Sequence, residues 1–204
     1  NDFYGQNHLL GEGKPIRLMI DNDTLSSFIL WGPPGTGKTT IARIIANHTK
    51  AEFFQINAVS SGVRDIRSVI EIGTQNKNFG KRTILFIDEI HRFNKAQQDA
   101  LLHSIESGVL VLIGATTENP SFEVIPALRS RTRVFVLEEL TKKDLEDILK
   151  SAITKDELLE QLNIKNIDED YLIYLSGGDA RIMLTILEAA IVQEISKDNI
   201  ILTK

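Results

Sequence analysis

Short apolar runs alternate along the first two thirds of the chain with stretches in which apolar residues recur every three or four positions. Runs of this length are typical of strands buried on both faces, as in a parallel sheet. The intervening stretches have the spacing of amphipathic helices. The five predicted strands are centred on residues 28–31, 53–56, 83–89, 109–113 and 134–137. Strands that alternate with helices predict an α/β fold, a parallel sheet flanked by helices.

Helix signals lie between these runs. Apolar residues at helical spacing follow the first run, and a second periodic stretch begins at Val63 and fades by Asn76. Residues 94–106 predict a further helix, because Asn94 with Gln97 three positions later has the pattern of a capping box. Before the first strand, a short helix is expected around residues 17–20.

The pattern changes at Thr141. Thr141 and Asp144 again have the spacing of a capping box, and an amphipathic stripe follows. Two more helices are predicted over residues 169–175 and 180–195, with Asp179 as the N-cap of the last one. We therefore predict an α/β domain over residues 1–140 and a small all-helical domain over 141–204, truncated at its C-terminus.

Composition narrows the possible partners and location. The net charge of −5 gives no overall basic surface, so any contact with nucleic acid must come from local patches. The absence of cysteine excludes disulfides and thiolate metal sites. Neither a long apolar run nor a leader-like start is seen, so no membrane contact is expected and the cytoplasm is the expected location.

The stretch WGPPGTGKTT fits the phosphate-binding pattern GxxxxGK[ST]. Consecutive backbone N–H groups of a glycine-rich turn can converge on phosphate oxygens, and the following helix adds its positive end. Lys38 is suited to lie between the β- and γ-phosphates, and the Thr39 hydroxyl to ligate Mg²⁺. A glycine- and proline-rich turn with a solvated lysine is the alternative, but the apolar strand before the loop and the helix after it favour a nucleoside triphosphate site. The predicted nucleotide-binding residues here are Gly32, Pro33, Pro34, Gly35, Thr36, Gly37, Lys38, Thr39 and Thr40.

Two carboxylates end the third apolar run. In parallel sheets, ligands bind beyond the carboxyl ends of the strands. Asp88 is therefore a candidate Mg²⁺ ligand, directly or through water, and Glu89 a candidate general base for the attacking water. An acidic, solvated turn is the alternative. Thr116 or Thr117, after the fourth run, is expected at the same edge, where its hydroxyl or amide could contact the γ-phosphate. The alternative is a threonine whose hydroxyl only hydrogen-bonds within its own turn.

The order of these motifs resembles that of AAA+ ATPases. It comprises the phosphate loop, ILFIDE, a strand tipped by threonine, an arginine-bearing segment and a helical lid with GDAR. Three segments are similar to the replication-associated recombination protein A (MgsA/RarA) family: two long ones, HRFNKAQQDALL and IGATTENPSFEV, and the short GDAR. This family is related to clamp loaders and to a Holliday-junction branch-migration motor. The resemblance covers nearly all of the 204 residues.

The resemblance implies roles for further residues. Thr116 resembles sensor 1, with Asn119 as a second candidate, and Arg181 resembles sensor 2. Arg131 matches the arginine finger that enters a neighbouring subunit's site. Arg129 stands where the family usually has leucine, so either arginine can be the finger. Tyr4 and Gly5, followed by Gln6, match the segment that lies against the adenine.

The resemblance also implies a function. We expect a Mg²⁺-dependent ATPase, stimulated by DNA, that acts on single-stranded or forked DNA at stalled replication forks. Its expected partners are a single-stranded-DNA-binding protein and replication factors, in a bacterial, nucleoid-associated homo-oligomer. A clamp-loader or branch-migration motor subunit is the alternative. A protein-remodelling chaperone is less favoured, because residues 58–62 contain no aromatic residue for a pore loop.

Two further side chains, Asn57 and His91, follow strands of the predicted sheet. Asn57, after the second run, is similar to an asparagine of clamp loaders that can restrain the catalytic glutamate. His91 is interpreted as a core or hydrogen-bonded histidine outside the site, because Glu89 already supplies the base.

Overall fold

The structure, a computed structural model, describes residues 3–156, 164–194 and 200–202. It divides into two compact units. The larger comprises Asn7–Pro33 and Gly37–Leu137, and the smaller comprises the described parts of Asn1–Gln6, Pro34–Thr36 and Glu138–Lys204. Along the chain, the larger unit ends at Leu137 and the smaller unit resumes at Glu138. The sequence did not indicate that the N-terminal segment and part of the phosphate loop belong to the smaller unit.

The larger unit contains the predicted parallel sheet. Its strands lie in the order β2-β3-β4-β1-β5, and all neighbours are parallel. β1, β3 and β4 are flanked by strands on both sides, so both edges of each are paired. Their side chains are almost all buried, which explains the continuous apolar runs. The strands are β1 Phe28–Trp31, β2 Glu52–Asn57, β3 Thr83–Asp88, β4 Val111–Thr116 and β5 Arg133–Val136.

The prediction for the fourth strand was wrong at its start. The apolar run begins at Val109, but β4 begins at Val111. The backbone N–H groups of Val109 and Leu110 both donate to the Ser104 carbonyl, at 2.9 and 3.1 Å, and so close the end of the preceding helix. Those two residues end a helix rather than begin a strand, and the strand instead extends to Thr116.

Helices connect the strands. The capping box predicted at Asn94 is present: the Gln97 N–H donates to Asn94 Oδ1 at 3.0 Å, and the Asn94 N–H to Gln97 Oε1 at 2.9 Å. None of the described helices has both the length and the apolar character needed to cross a membrane. The helices of the larger unit are α1 Asn7–Leu10, α2 Pro15–Asp21, α3 Lys38–His48, α4 Val63–Asn78, α5 Lys95–Glu106, α6 Pro120–Glu123 and α7 Pro126–Arg129, with a 3₁₀ helix at Ile90–Arg92.

The smaller unit contains α8 Lys142–Lys155, α9 Glu169–Ser176 and α10 Ala180–Glu194, packed around buried leucines and Met183. The prediction of an all-helical domain was wrong in one respect. β6 Ile164–Ile167 and β7 Ile200–Leu202 form a two-stranded parallel sheet. Both are isoleucine-rich segments too short to show a period, and β-branched residues favour strands once a partner is available. Residue 195, the predicted end of the last helix, lies outside the described residues.

Candidate nucleotide-binding and hydrolysis site

Three predicted site segments leave the sheet at the same edge. In the parallel register, Trp31 is opposite Thr116 and Ile87 is opposite Gly114. The phosphate loop follows Trp31, the acidic pair closes β3, and Thr116 ends β4. Because the carboxyl ends of parallel strands share one edge, the three segments lie where ligands bind in sheets of this kind.

Two glycines of the larger unit shape the phosphate loop. A Cβ on Gly32 would lie 2.5 Å from the Leu137 carbonyl oxygen, so no side chain fits there. Gly37 has φ 91°, in the left-handed region, and its carbonyl accepts from the Ile41 N–H at the start of α3. This conformation costs glycine little and leaves N–H groups at the N-terminus of α3 without helical partners, which suits an anion.

The middle of the phosphate loop, Pro34–Thr36, belongs to the smaller unit. Gly35 has φ 71°, and a Cβ at this position would lie 2.1 Å from Asp179 Oδ1. Thr36 is buried, and Pro34 is exposed. Gly35 is therefore constrained both by its backbone conformation and by the close approach of Asp179.

Lys38 is the first residue of α3 and is buried, with 9% of its surface exposed. Its Nζ donates to the Gly32 carbonyl at 2.8 Å and to the Pro33 carbonyl at 2.6 Å. These carbonyls hold the ammonium against the loop predicted to bind phosphate. Thr39 and Thr40 follow in the first turn of α3, Thr39 half-buried and Thr40 exposed.

The predicted metal ligands are hard oxygen donors. Asp88 is the half-buried last residue of β3, and Thr39 supplies a hydroxyl. Within the described ranges, no group of three or more His, Asp or Glu side chains could hold a metal by itself. Mg²⁺ commonly takes one or two protein oxygens and completes its shell with phosphate and water. Donors of this kind and number therefore fit the ion.

Glu89 has an unusual backbone. Its φ of 55° and ψ of 46° lie in the left-handed region, where a side chain costs about 1–2 kcal/mol. Its carbonyl accepts from the Arg92 N–H at 2.8 Å, and the next residue, Ile90, is fully buried. The 3₁₀ turn therefore holds Glu89 in this conformation, with its side chain one third exposed.

His91 lies in this group, although the sequence analysis left it out of the site. Its Nδ1 is 3.2 Å from Glu89 Oε2 and 3.0 Å from Thr116 Oγ1. The interpretation as a hydrogen-bonded histidine agrees with these contacts, but its partners are two predicted site residues. The available signal was its position, two residues after Glu89 in the turn that leaves the common edge.

Thr116 is fully buried. Its hydroxyl hydrogen-bonds within its own turn, which is the alternative to a role at the γ-phosphate. Thr116 Oγ1 accepts from the Glu118 N–H at 2.9 Å and lies 3.2 Å from the Glu118 carbonyl oxygen. It also contacts His91, so it belongs both to its own turn and to the acidic edge. Asn119, the second sensor candidate, uses Oδ1 to accept from the Ser121 N–H at 2.9 Å.

Asn57 closes β2 beside Asp88, which is its register partner in β3. Its Oδ1 accepts from the Val59 N–H at 2.8 Å. The side-chain oxygen therefore caps the turn after β2, while the backbone places the residue next to the acidic pair.

Both candidate finger arginines contact other groups of the larger unit. Arg131 forms an ion pair with Glu106, and it donates to the Ala127 carbonyl at 2.7 Å and to Ser130 Oγ at 3.0 Å. Arg129 donates to the Ser121 carbonyl at 2.5 Å. Among the described residues, Arg131 has a carboxylate partner, whereas the contact of Arg129 is to a backbone carbonyl.

The remaining predicted residues belong to the smaller unit. Tyr4 is half-buried, and Gly5 has φ 78°, with space for a Cβ blocked by Leu140 at 2.8 Å. Beside them, the Gln6 amide pairs with the Glu138 backbone in both directions, at 2.8 and 3.0 Å. Arg181 is exposed in the first turn of α10, and its N–H donates to the predicted N-cap, Asp179, at 2.8 Å.

Comparison with known proteins gives closely similar relatives. The chain is 48% identical over 193 residues to replication-associated recombination protein A of Haemophilus influenzae, in a match that covers 91% of this chain and 42% of the relative. It is 50% identical over 190 residues to the protein of that name from Coxiella burnetii, covering 92% of this chain and 43% of the relative. The chain thus spans less than half the length of these curated relatives.

Solved structures of Thermotoga maritima RuvB are also similar. The structure of one RuvB variant superposes with a TM-score of 0.75 at 27% identity, covering 97% of this chain and 66% of that chain. A structure described as the RuvB Holliday junction branch migration motor gives a TM-score of 0.69 at 30% identity, covering 90% of this chain and 61% of that one. The parallel sheet and its flanking helices are shared with these proteins.

The similarity is also visible at the level of a whole family. The sequence pattern of the ATPase family associated with various cellular activities (AAA) matches residues 28–141. This match contains β1 to β5, the phosphate loop, the acidic pair and both finger candidates, and it is more than half of the 204 residues. The chain therefore belongs to the AAA family of ATPases.

Proposed function

We propose that this chain binds ATP with Mg²⁺ and hydrolyses it to ADP and phosphate, as part of a protein that acts on DNA at stalled replication forks. The observation that carries the proposal is the identity of 48–50% to proteins named replication-associated recombination protein A over nine tenths of the chain. The shared carboxyl edge of β1, β3 and β4 supports the chemistry, because it brings the phosphate loop and acidic pair to one side of the sheet.

In the proposed reaction, the residues position ATP and water. The phosphate loop and Lys38 bind the phosphates, and Glu89 orients a water molecule and accepts its proton as the oxygen attacks the γ-phosphorus. The bond from that phosphorus to the bridging oxygen breaks, and ADP leaves. The turn that fixes Glu89 supports this role, because general-base catalysis depends on a held geometry.

Thr39 and Asp88 are the proposed Mg²⁺ ligands. When bound, the ion supplies positive charge that neutralises the phosphate oxygens. The protein's own contribution is to present two hard oxygen donors, one on the first turn of α3 and one at the end of β3.

The remaining site residues are proposed from the family resemblance. Tyr4 and Gly5 would contact the adenine, Thr116 would sense the γ-phosphate, and Arg181 would act as sensor 2. Arg131 would enter the site of a neighbouring copy, which requires it to leave Glu106. The protein is accordingly proposed to work as a homo-oligomer, and its proposed location is the bacterial cytoplasm at the nucleoid.

A branch-migration motor is the second candidate function. The observation that favours it is the superposition on RuvB structures at a TM-score of 0.75. In either case the proposed substrate is branched or single-stranded DNA, and single-stranded-DNA-binding protein and replication factors are the proposed partners. The preferred DNA structure distinguishes the two functions.

Replacing the proposed base tests the chemistry. In the full-length protein, Glu89→Gln should reduce ATP hydrolysis to background while ATP affinity stays within about threefold, because the amide keeps the size but accepts no proton. Glu71→Gln, at an exposed position of α4, is the matched control. Hydrolysis at the wild-type rate in Glu89→Gln would remove Glu89 from its proposed role.

DNA dependence is tested on the same full-length protein. The hydrolysis rate should rise with single-stranded or forked DNA, and affinity should fall with salt, because phosphate contacts release counterions. Stronger stimulation by four-way junctions would favour the branch-migration alternative. No DNA binding at low salt would contradict both DNA-linked functions. It would not bear on the proposed ATP hydrolysis, which the Glu89→Gln substitution tests separately.

A further inference from the structure

A histidine with a largely buried side chain joins two residues of the proposed hydrolysis site. His91 Nδ1 lies 3.2 Å from Glu89 Oε2 and 3.0 Å from Thr116 Oγ1, and the His91 side chain is only 8% exposed. We infer that His91 is a positioning residue that holds the Glu89 carboxylate through Nδ1–H and links it to Thr116. The inference rests on the proposed role of Glu89 as the base.

The hydrogen-bond partners determine which atom carries the proton. A carboxylate oxygen only accepts hydrogen bonds, so a ring nitrogen facing it must be an N–H donor. Thr116 Oγ1 accepts from the Glu118 N–H at 2.9 Å, and its own hydroxyl can donate to the Glu118 carbonyl at 3.2 Å. The hydroxyl thus keeps acceptor capacity toward His91. A single Nδ1–H of His91 can therefore donate to both Glu89 Oε2 and Thr116 Oγ1. In this arrangement no acceptor atom faces another acceptor without a hydrogen between them.

The backbone holds these side chains in place. Glu89 is in the left-handed region, and Ile90, between Glu89 and His91, is fully buried. Gly114 of β4 provides the space for Ile90, since a Cβ there would lie 3.1 Å from Ile90 Cδ1. β4 therefore packs through Gly114 against the turn that carries Glu89 and His91. Two residues after Gly114, the same strand supplies Thr116.

This arrangement has a consequence for turnover. The Glu89 side chain is one third exposed, so without a fixed donor it can rotate away from the attacking water. A misplacement of about 1 Å at a reacting group can cost about 100-fold in rate. Loss of the Nδ1–H should therefore lower kcat by about 10- to 100-fold, and ATP affinity should not change, because His91 does not belong to the phosphate loop.

Two substitutions separate the donor from the rest of the ring. In His91→Asn, the amide nitrogen can occupy nearly the place of Nδ1, whereas in His91→Gln it lies one bond farther out. We expect His91→Asn of the full-length protein to keep kcat within about threefold of wild type. We expect His91→Gln and His91→Leu to lose about 10- to 100-fold in kcat, with KM and the Kd of a fluorescent ATP analogue unchanged.

Controls make the result specific. His103→Leu, at an exposed position of α5, should leave kcat unchanged. The comparison of Asn with Gln remains decisive if His91→Leu does not fold, since both amides are polar. Equal kcat for Asn and Gln, or a change in KM alone, would overturn the inference. Glu89→Gln in the same assay separates the two proposals: active Glu89→Gln refutes the base, whereas inactive Glu89→Gln with normal His91→Gln refutes only the positioning role.

Discussion

At the scale of single residues, Lys38 is already held by acceptors of its own loop. Its ammonium donates to the carbonyls of Gly32 and Pro33 at the start of the loop. A cation placed in this way is preorganised for phosphate, because little side-chain entropy remains to be lost when the anion binds. The same residue therefore contributes to loop structure and to the proposed binding of ATP.

Lys38→Met tests this contribution. The substitution keeps an unbranched side chain but removes the ammonium, and a hydrogen bond to a charged group contributes about 1.5–3 kcal/mol. ATP affinity should fall at least about 10-fold, measured by titration of a fluorescent ATP analogue. Lys14→Met, at an exposed position before α2, should bind as wild type. Wild-type affinity in Lys38→Met would exclude the phosphate-loop assignment.

At the scale of elements, polar side chains fix where helices and strands begin. Reciprocal bonds between Asn94 and Gln97 start α5 directly after the turn that carries Glu89 and His91. At the opposite edge of the sheet, Glu52 of β2 accepts from Asn76 of α4 and from Lys81, and Asn76 also donates to Thr83 of β3. These contacts link elements without taking part in the proposed chemistry.

Removing the cap of α5 should cost stability. Asn94→Ala leaves the Gln97 N–H without its side-chain acceptor, and loss of such a cap costs about 1 kcal/mol. We expect the free energy of unfolding to fall by about that amount in urea denaturation, with ATP affinity unchanged. Lys95→Ala, at the exposed first position of α5, should change the free energy by much less. Equal effects of the two substitutions would argue against the cap.

The Glu52 contacts predict an acid-side loss of stability. Hydrogen bonds from Lys81 and then Asn76 hold the pKa of the Glu52 carboxyl below its ordinary value of 4.5, against an opposing effect of burial. A carboxyl whose pKa is lowered by folding stabilises the protein above its unfolded pKa. That contribution is lost as the pH falls through the folded pKa.

Thermal unfolding across pH should detect this loss. The Tm difference between wild type and Glu52→Gln should be largest above about pH 5 and should shrink toward about pH 3. Glu12→Gln, at an exposed position, is the matched control. A Tm difference that stays constant over this range would contradict the contribution of the ionised Glu52 carboxylate.

At the scale of the whole molecule, the proposed finger is held by groups of its own chain. Arg131 is bound by Glu106, Ala127 and Ser130. Under the proposed mechanism, it completes the site of a neighbouring copy, where such an arginine contributes about 10³- to 10⁵-fold to the rate. Turnover would then depend on assembly as well as on the site residues.

Mixing two inactive variants of the full-length protein tests action in trans. Arg131→Ala and Glu89→Gln should each hydrolyse ATP at background rates. Mixed together, they should recover part of the wild-type rate, because some interfaces pair an intact Glu89 with an intact Arg131. Arg129→Ala assayed alone shows which arginine is the finger, because it should stay active if Arg131 is the finger and fall to background if Arg129 is. No recovery in the mixture of Arg131→Ala with Glu89→Gln, despite co-assembly, would contradict Arg131 as a finger acting in trans.

The sequence alone determined the parallel sheet, the glycine-rich loop after β1 and the caps at Asn94 and Thr141, whose side chains accept from the N–H groups of Gln97 and Asp144. These features depend on residues close together in the chain: apolar runs, a glycine pattern and pairs three residues apart. Local signals were less reliable where neighbouring elements compete for the same residues. Val109 and Leu110 look like strand residues but end α5 through Ser104, so β4 starts later than predicted.

Only the tertiary structure decided the partners of the side chains. The sequence predicts Glu89 and Thr116 at one edge of the sheet, but it does not predict that His91 contacts both, and Thr116 is 25 residues beyond His91. The pairing of β3 with β4 makes that contact, and the buried Ile90 fixes the turn. Likewise, the pairing of β6 with β7 depends on residues more than 30 positions apart. A period along the chain reports which face of an element is buried, whereas contacts across elements depend on how the whole sheet assembles.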